Sequence, residues 1–176
     1  MGLKGGPTQD EVMAVSLAKL GIRPGDRVVD VGCGTGKVAI AASRVAEHVY
    51  AIDRRPEAVA YARGEAAAAG AGNIEFFEGD AVEILPGIDR LDAAFVGGSR
   101  RLPEVLDLLA ATVRGRIVVN AVMVETLYEA IRSMQRLGIF VEAVHLQVSR
   151  SAAIAGGVMF KPQNPVYVIV GGAGCS

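Results

Sequence analysis

Nine consecutive residues constrain this chain more than any others: Val28-Val29-Asp30-Val31-Gly32-Cys33-Gly34-Thr35-Gly36. A β-branched run ends in three glycines on alternate positions, and a helical pattern follows. Glycine admits positive φ and lets backbone approach a ligand with no Cβ in the way. N–H groups at the start of the following helix favour polar or anionic ligand groups. Strand, glycine turn and helix in this order predict the opening unit of a parallel α/β sheet. The dinucleotide fingerprint is G-x-G-x-x-G. Here the spacing is G-x-G-x-G, and Lys37 stands where the third glycine of that fingerprint belongs, which speaks against a nicotinamide dinucleotide.

The rest of the chain repeats the alternation. Thr8-Gln9-Asp10-Glu11 reads as a capping box, with Thr8 as N-cap and Glu11 reaching back, opening a helix that stops at Gly21. Strands are expected at Arg27–Val31, Val49–Ile52, Ile74–Phe77, Leu91–Val96 and Arg116–Val119. Helices are expected from the glycine loop to about Ala46, from Pro56 to Gly70, from about Pro103 to Ala111, and from Glu125 to Leu137. Two further strand patterns, Phe140–Val148 and Val166–Val170, are joined by a connection over Ser149–Pro165 that is longer than a tight hairpin. With 176 residues and no linker or internal repeat, residues 1–176 read as one domain.

Charge and composition narrow the function classes. Eighteen basic and 19 acidic residues give a net charge of −1, which speaks against a partner bound through a nucleic-acid backbone. Cys33 and Cys175 are too few for a disulfide framework or a four-cysteine metal site, so no metal is expected and a reducing compartment is the default. No stretch reaches the roughly 18 apolar residues of a membrane span, and the first residues lack a signal core, so the expectation is a cytoplasmic chain with no membrane partner. Of the basic residues, 14 are Arg and 4 are Lys. Arg forks grip carboxylates, although a GC-rich genome inflates Arg as well.

Two acids fall in register behind the glycine loop. Asp53 ends the second strand, 17 residues beyond Gly36, where an acid accepts ribose hydroxyls. Asp80 follows the third strand on the same sheet edge. In an open α/β sheet a ligand binds at the carboxyl ends of the strands, near the reversal of strand order. Each acid alone also suits a turn or a helix cap. Cys33 reads as a small buried filler, His48 as a helix-ending residue, and His145 as structural.

Asp30-Val31-Gly32-Cys33-Gly34-Thr35-Gly36, Asp53 and Gly79-Asp80-Ala81 together resemble the class I S-adenosylmethionine-dependent methyltransferases. The resemblance implies a Rossmann-like α/β fold: a seven-stranded, mostly parallel sheet with a reversed final strand and helices on both faces. It implies S-adenosyl-L-methionine as cofactor, met by Thr8, Gly32, Cys33, Gly34, Thr35 and Gly36, with Asp53 on the ribose and Asp80 and Ala81 at the adenine. Five further stretches narrow it: Gly6-Pro7-Thr8, Tyr50 to Ala58, Val96-Gly97-Gly98-Ser99, Asn120 to Thr126, and Asn164-Pro165-Val166. These resemble the decarboxylating precorrin or cobalt-precorrin C(15)-methyltransferases of cobalamin biosynthesis. The implied substrate is a corrinoid tetrapyrrole, precorrin-6B or cobalt-precorrin-6B, and the implied assembly a homo-oligomer, a homotetramer in the family.

For a polycarboxylate ring, Gly98, Ser99, Arg100, Arg101 and Arg150 are the substrate-binding candidates, with Lys161 beside them. Glu125, Thr126 and Ser99 are the candidate catalytic residues, although capping the next helix suits Glu125 and Thr126 equally. A methyltransferase for another acceptor, such as a protein isoaspartyl group or an RNA base, stays open, as does a nucleotide-cofactor oxidoreductase.

Overall fold

The computed structural model describes residues 8–98 and 100–172. Ser99, Cys175 and the segment Gly6-Pro7 lie outside the described residues. A seven-stranded sheet forms the middle layer: β1 (Arg27–Val31), β2 (His48–Asp53), β3 (Ile74–Glu78), β4 (Ala93–Val96), β5 (Arg116–Ala121), β6 (Phe140–Leu146) and β9 (Val166–Gly172). Their spatial order is β3-β2-β1-β4-β5-β9-β6. β1 to β5 are parallel, and β9 runs antiparallel between β5 and β6. Strand order reverses between β1 and β4, so the crevice above Val31 and Val96 is the expected ligand position.

The helices divide between the two faces. α1 (Asp10–Leu20), α2 (Lys37–Ser43) and α3 (Pro56–Ala68) pack on one side, α4 (Ala81–Ile84), α5 (Leu102–Thr112) and α6 (Val124–Arg136) on the other, each over its own apolar cluster. Local sequence explains the choices. β4 reads as an unbroken buried apolar run, and β1 as a buried run interrupted by Asp30, because both their faces are covered. α5 buries Leu102, Val105, Leu106 and Leu109 along one stripe. Full burial of each of its leucines is worth roughly 1.5–3 kcal/mol. α3 turns Ala58, Ala62 and Ala66 inward at four-residue spacing, and small side chains let it lie close to the sheet.

Several expectations need correction. The N-cap of α1 is Gln9, with no side-chain cap bond. Thr8 instead gives its carbonyl to Lys37 Nζ at 2.9 Å, and Glu11 is drawn to Arg150 at 2.7 Å. The helix starts one residue later than a Thr8 cap requires, and the carboxylate of Glu11 is taken by a long-range ion pair. His48 opens β2 rather than ending a helix, its ring 4.6 Å from that of Tyr50. α2 stops at Ser43, and Leu91 joins the sheet region only through a bridge to Val113. The connection over 149–165 contains a hairpin of its own, β7 (Ser149–Ile154) with β8 (Gly157–Pro162). Its turn holds Ala155 and Gly156 at positive φ, without the Asn-Gly signature that marks such turns.

Candidate active site

The carboxyl ends of β1 to β5 enclose two adjoining cavities. The first, about 270 Å3, is lined among others by Gly32, Asp53, Arg54, Asp80, Ala81 and Arg100. The second, about 650 Å3, is lined among others by Thr8, Gln9, Asp30, Lys37, Phe95 and Asn120. Gly32, Gly97 and Arg55 border both.

Two glycines are required by space as well as by φ. Gly32, at φ 77°, passes so close to the loop after β4 that a Cβ would stand 2.8 Å from the Gly98 nitrogen. Gly36, at φ 76°, would set a Cβ 2.9 Å from that of Ala62. Gly32 therefore brings β1 and β4 together at the crevice, and Gly36 seats α2 against α3 rather than lining a cavity.

Most N–H groups of the glycine loop itself turn inward. The N–H groups of Gly32 and Cys33 both donate to the Ile52 carbonyl, that of Gly34 to Asp53 Oδ2, and that of Gly36 to the Cys33 carbonyl. These four donors are spent within the protein because the tight turn folds three of them onto β2 and closes the fourth on the loop itself. These four N–H groups are therefore not free to hold a pyrophosphate. What remains is close backbone approach next to acids.

Asp53 is 4% exposed and holds four hydrogen bonds. Oδ1 accepts from the Arg55 backbone N–H and Nε, each at 3.0 Å, and Oδ2 from Gly34 N–H and Arg55 Nη2, each at 2.9 Å. Burial pushes its carboxyl up, but the Arg55 and Gly34 donors outweigh burial and hold it below the usual carboxylate range. Asp80 caps α4, accepting from the Val82 N–H at 3.0 Å, with Arg101 Nη1 at 3.5 Å. That N–H first, then the arginine charge, lowers its pKa. Asp80 is thus a cap and a cavity wall at once.

Asp30, which sequence reasoning did not single out, differs from both. It is buried, and neither carboxyl oxygen makes a hydrogen bond of good geometry. Burial pushes its pKa up to about 7; the nearby Ala39 N–H draws it down a little, and the Asp53 charge raises it again. An acid inside the run Val28-Val29-Asp30-Val31 was the available signal. Buried Gln9 Oε1 and Asn120 Nδ2 are also unpartnered, and both residues line the same cavity. Cys33 is buried, and its thiol pKa is pushed far up by burial, so it is held as a thiol.

Other expected residues are distributed unevenly. Thr8, Cys33, Gly34 and Thr35 line the second cavity, and Gly98 and Arg100 the first. Arg101 spends its fork on Glu104 and reaches Asp80, sitting at φ 52°, uncommon for a residue with a side chain. Arg150 holds Glu11 on α1, and Lys161 is its cross-strand neighbour in the hairpin. Glu125 and Thr126 begin α6 and line neither cavity. His145 stacks on Tyr167 at 4.6 Å.

Comparison with known proteins decides the family. The model of a family described as a precorrin methyltransferase domain matches residues 4–171. The chain belongs to the precorrin methyltransferase family. A protein of Methanosarcina acetivorans, named as a probable cobalt-precorrin-6B C(15)-methyltransferase (decarboxylating), is 48% identical, covering 97% of this chain and 96% of its own. Among solved structures, precorrin 8W decarboxylase of Methanobacterium thermoautotrophicum superposes with a TM-score of 0.92 at 38% identity, over 96% of this chain and 92% of the other. A precorrin-6Y C5,15-methyltransferase from Geobacter metallireducens gives the same TM-score at 30% identity, over 98% and 94%. The seven-stranded fold with its reversed strand is that of S-adenosylmethionine-dependent methyltransferases. No helix among the described residues is long and apolar enough to cross a membrane.

The residues present suit the cofactor such a family uses. Asp53 and Asp80 stand at or just past adjacent strand ends, and the buried Asp30, Gln9 and Asn120 atoms without partners belong to residues lining the second cavity.

Proposed function

We propose that this chain transfers a methyl group from S-adenosylmethionine to carbon 15 of precorrin-6B or cobalt-precorrin-6B, with loss of the ring's acetate carboxyl group as CO2. One geometric observation carries the cofactor half of this reading. The glycine loop has spent four donors internally and faces carboxyl groups, so it suits a nucleoside without a pyrophosphate. The names of relatives alike over nearly the whole chain support the acceptor.

Asp53 would hold the ribose hydroxyls, Asp80 and Ala81 would flank the adenine, and Asp30 lies behind the loop at the methionine end. The cofactor supplies an electrophilic methyl carbon on a sulfonium. The protein's part is orientation, and a fixed approach accounts for much of the barrier in such a transfer. Val12, Val38 and Phe95 in the second cavity keep water from the reacting centre. Arg100, exposed at the mouth, meets a ring carboxylate, with Gly98 and Ser99 next to it. The ring is itself a conjugated nucleophile and an electron sink for decarboxylation. Glu125 and Thr126, at the start of α6 and outside both cavities, are therefore not needed as an obligatory base.

The same reading makes the protein a cytoplasmic homo-oligomer with no nucleic-acid or membrane partner. Ile154, Val158 and Phe160 lie exposed on the β7–β8 hairpin and would be covered by a second copy of the chain. Light scattering gives a mass above that of one chain if this is right.

The deciding experiment incubates the protein with S-adenosylmethionine and cobalt-precorrin-6B and weighs the product. A product with one methyl gained and one CO2 lost is expected. Methylation without CO2 loss, or no turnover, refutes the acceptor assignment.

A further inference from the structure

Two of the four hydrogen bonds on Asp53 come from backbone that cannot leave, the N–H groups of Gly34 and Arg55. The other two come from a side chain that can: Arg55 Nε at 3.0 Å on Oδ1 and Nη2 at 2.9 Å on Oδ2. A carboxylate offers about four lone-pair sites, so this one is full. The carboxyl group is 4% exposed, whereas the Arg55 side chain is 31% exposed and borders both cavities. The guanidinium presents two parallel N–H donors to two oxygens. A vicinal diol presents two O–H donors to the same pair. Both cannot occupy Asp53 together.

We propose that Arg55 is a built-in competitor for the diol subsite. Its guanidinium closes Asp53 when no ligand is present, yields to the two hydroxyls on binding, and returns as the nucleoside product leaves. This inference rests on Asp53 being the diol ligand, as in the function proposed above.

The physics gives the arrangement a benefit and a cost. Without Arg55 the buried carboxylate would keep only two backbone donors, and stripping a partner from a buried charge destabilises the fold. The ligand-free protein is therefore steadied by the pair. Affinity falls by the factor with which the closed arrangement outnumbers the open one. Because the guanidinium is partly in water, that factor is modest, about 3–10-fold.

The test compares wild type, Arg55→Ala and Arg55→Lys by calorimetry with S-adenosylhomocysteine and with its 2′,3′-dideoxy analogue, alongside melting curves. Arg55→Ala should melt lower without ligand, yet bind S-adenosylhomocysteine about 3–10-fold tighter, with a larger ligand-induced rise in melting temperature. The dideoxy analogue should show no such gain. Arg55→Lys keeps the charge but loses the fork, so it should gain less; it carries the test if the alanine variant does not fold. Equal or weaker binding by the variants, while Asp53→Ala still weakens binding markedly, overturns the competitor role and leaves the cleft assignment standing. Failure of wild type to bind S-adenosylhomocysteine, or an Asp53→Ala variant that binds normally, removes the cleft assignment itself and this inference with it.

Discussion

The two adjoining cavities treat buried polar groups in opposite ways. On the side of Asp53 and Asp80 each acid is already answered, by Arg55 and Gly34 in one case and by Val82 and Arg101 in the other. On the side of Asp30, Gln9 and Asn120, buried polar atoms lack partners. The first half is ordered in advance, and a ligand gains only what it adds over the existing bonds. The second half carries a desolvation cost of about 1–3 kcal/mol per unsatisfied group before any ligand arrives, and a ligand that supplies partners recovers it. Under the proposed function, selectivity for a ligand end that both donates and accepts is then concentrated in the second half, and anchoring in the first.

Substitutions in each half should separate these roles. Asp53→Ala removes the anchor, and S-adenosylhomocysteine affinity should fall about 30–100-fold by calorimetry, the worth of hydrogen bonds to a charged group. Gly32→Ala attacks the wall common to both halves. With φ at 77° and the Gly98 nitrogen 2.8 Å from the new Cβ, stability should drop by about 2–3 kcal/mol in urea unfolding.

Asp30→Asn tests the unsatisfied half through pH. The folded protein holds the Asp30 proton up to about pH 7, whereas the unfolded chain releases it near the ordinary carboxylate value. The folded state thus binds more protons between those values, so this contribution to stability is full on the acid side and is lost as pH rises through that window. Asn carries no such penalty. At pH 8 the variant should be more stable than wild type by about 1–3 kcal/mol, with a flatter stability–pH curve. Equal slopes would mean that Asp30 is not a buried acid. The smallest effect is expected for Arg101→Ala. Asp80 keeps its Val82 N–H, so S-adenosylhomocysteine affinity should change less than about 3-fold.

How much of this was legible in the sequence follows from how local each signal is. The strand–glycine–helix unit and the acids that end β2 and follow β3 rest on patterns within a few residues, whereas the reversed strand is implied by the family resemblance; each stands in the structure. What failed depended on distant partners. Thr8 and Glu11 spell a capping box, but Gln9 is the N-cap and the distant Arg150 claims Glu11. The hairpin of β7 and β8 was hidden because its turn places alanine where glycine or asparagine is usual. Nothing in the sequence shows that the Ile52 and Cys33 carbonyls and the Asp53 carboxylate consume the N–H groups of Gly32, Cys33, Gly34 and Gly36. Asp30 and Arg55 were visible as letters, an acid in an apolar run and an arginine two residues past a strand-ending acid. Their meaning comes only from burial and from the bonds that are made or missing.

The most direct test of a nucleoside cleft whose glycine-loop N–H groups are not free for a pyrophosphate is a calorimetric titration of the wild-type protein with S-adenosylhomocysteine beside one with NAD. Saturable one-site binding of S-adenosylhomocysteine and no measurable heat from NAD is the predicted result. Saturable NAD binding, or no binding of S-adenosylhomocysteine to folded protein, would contradict it.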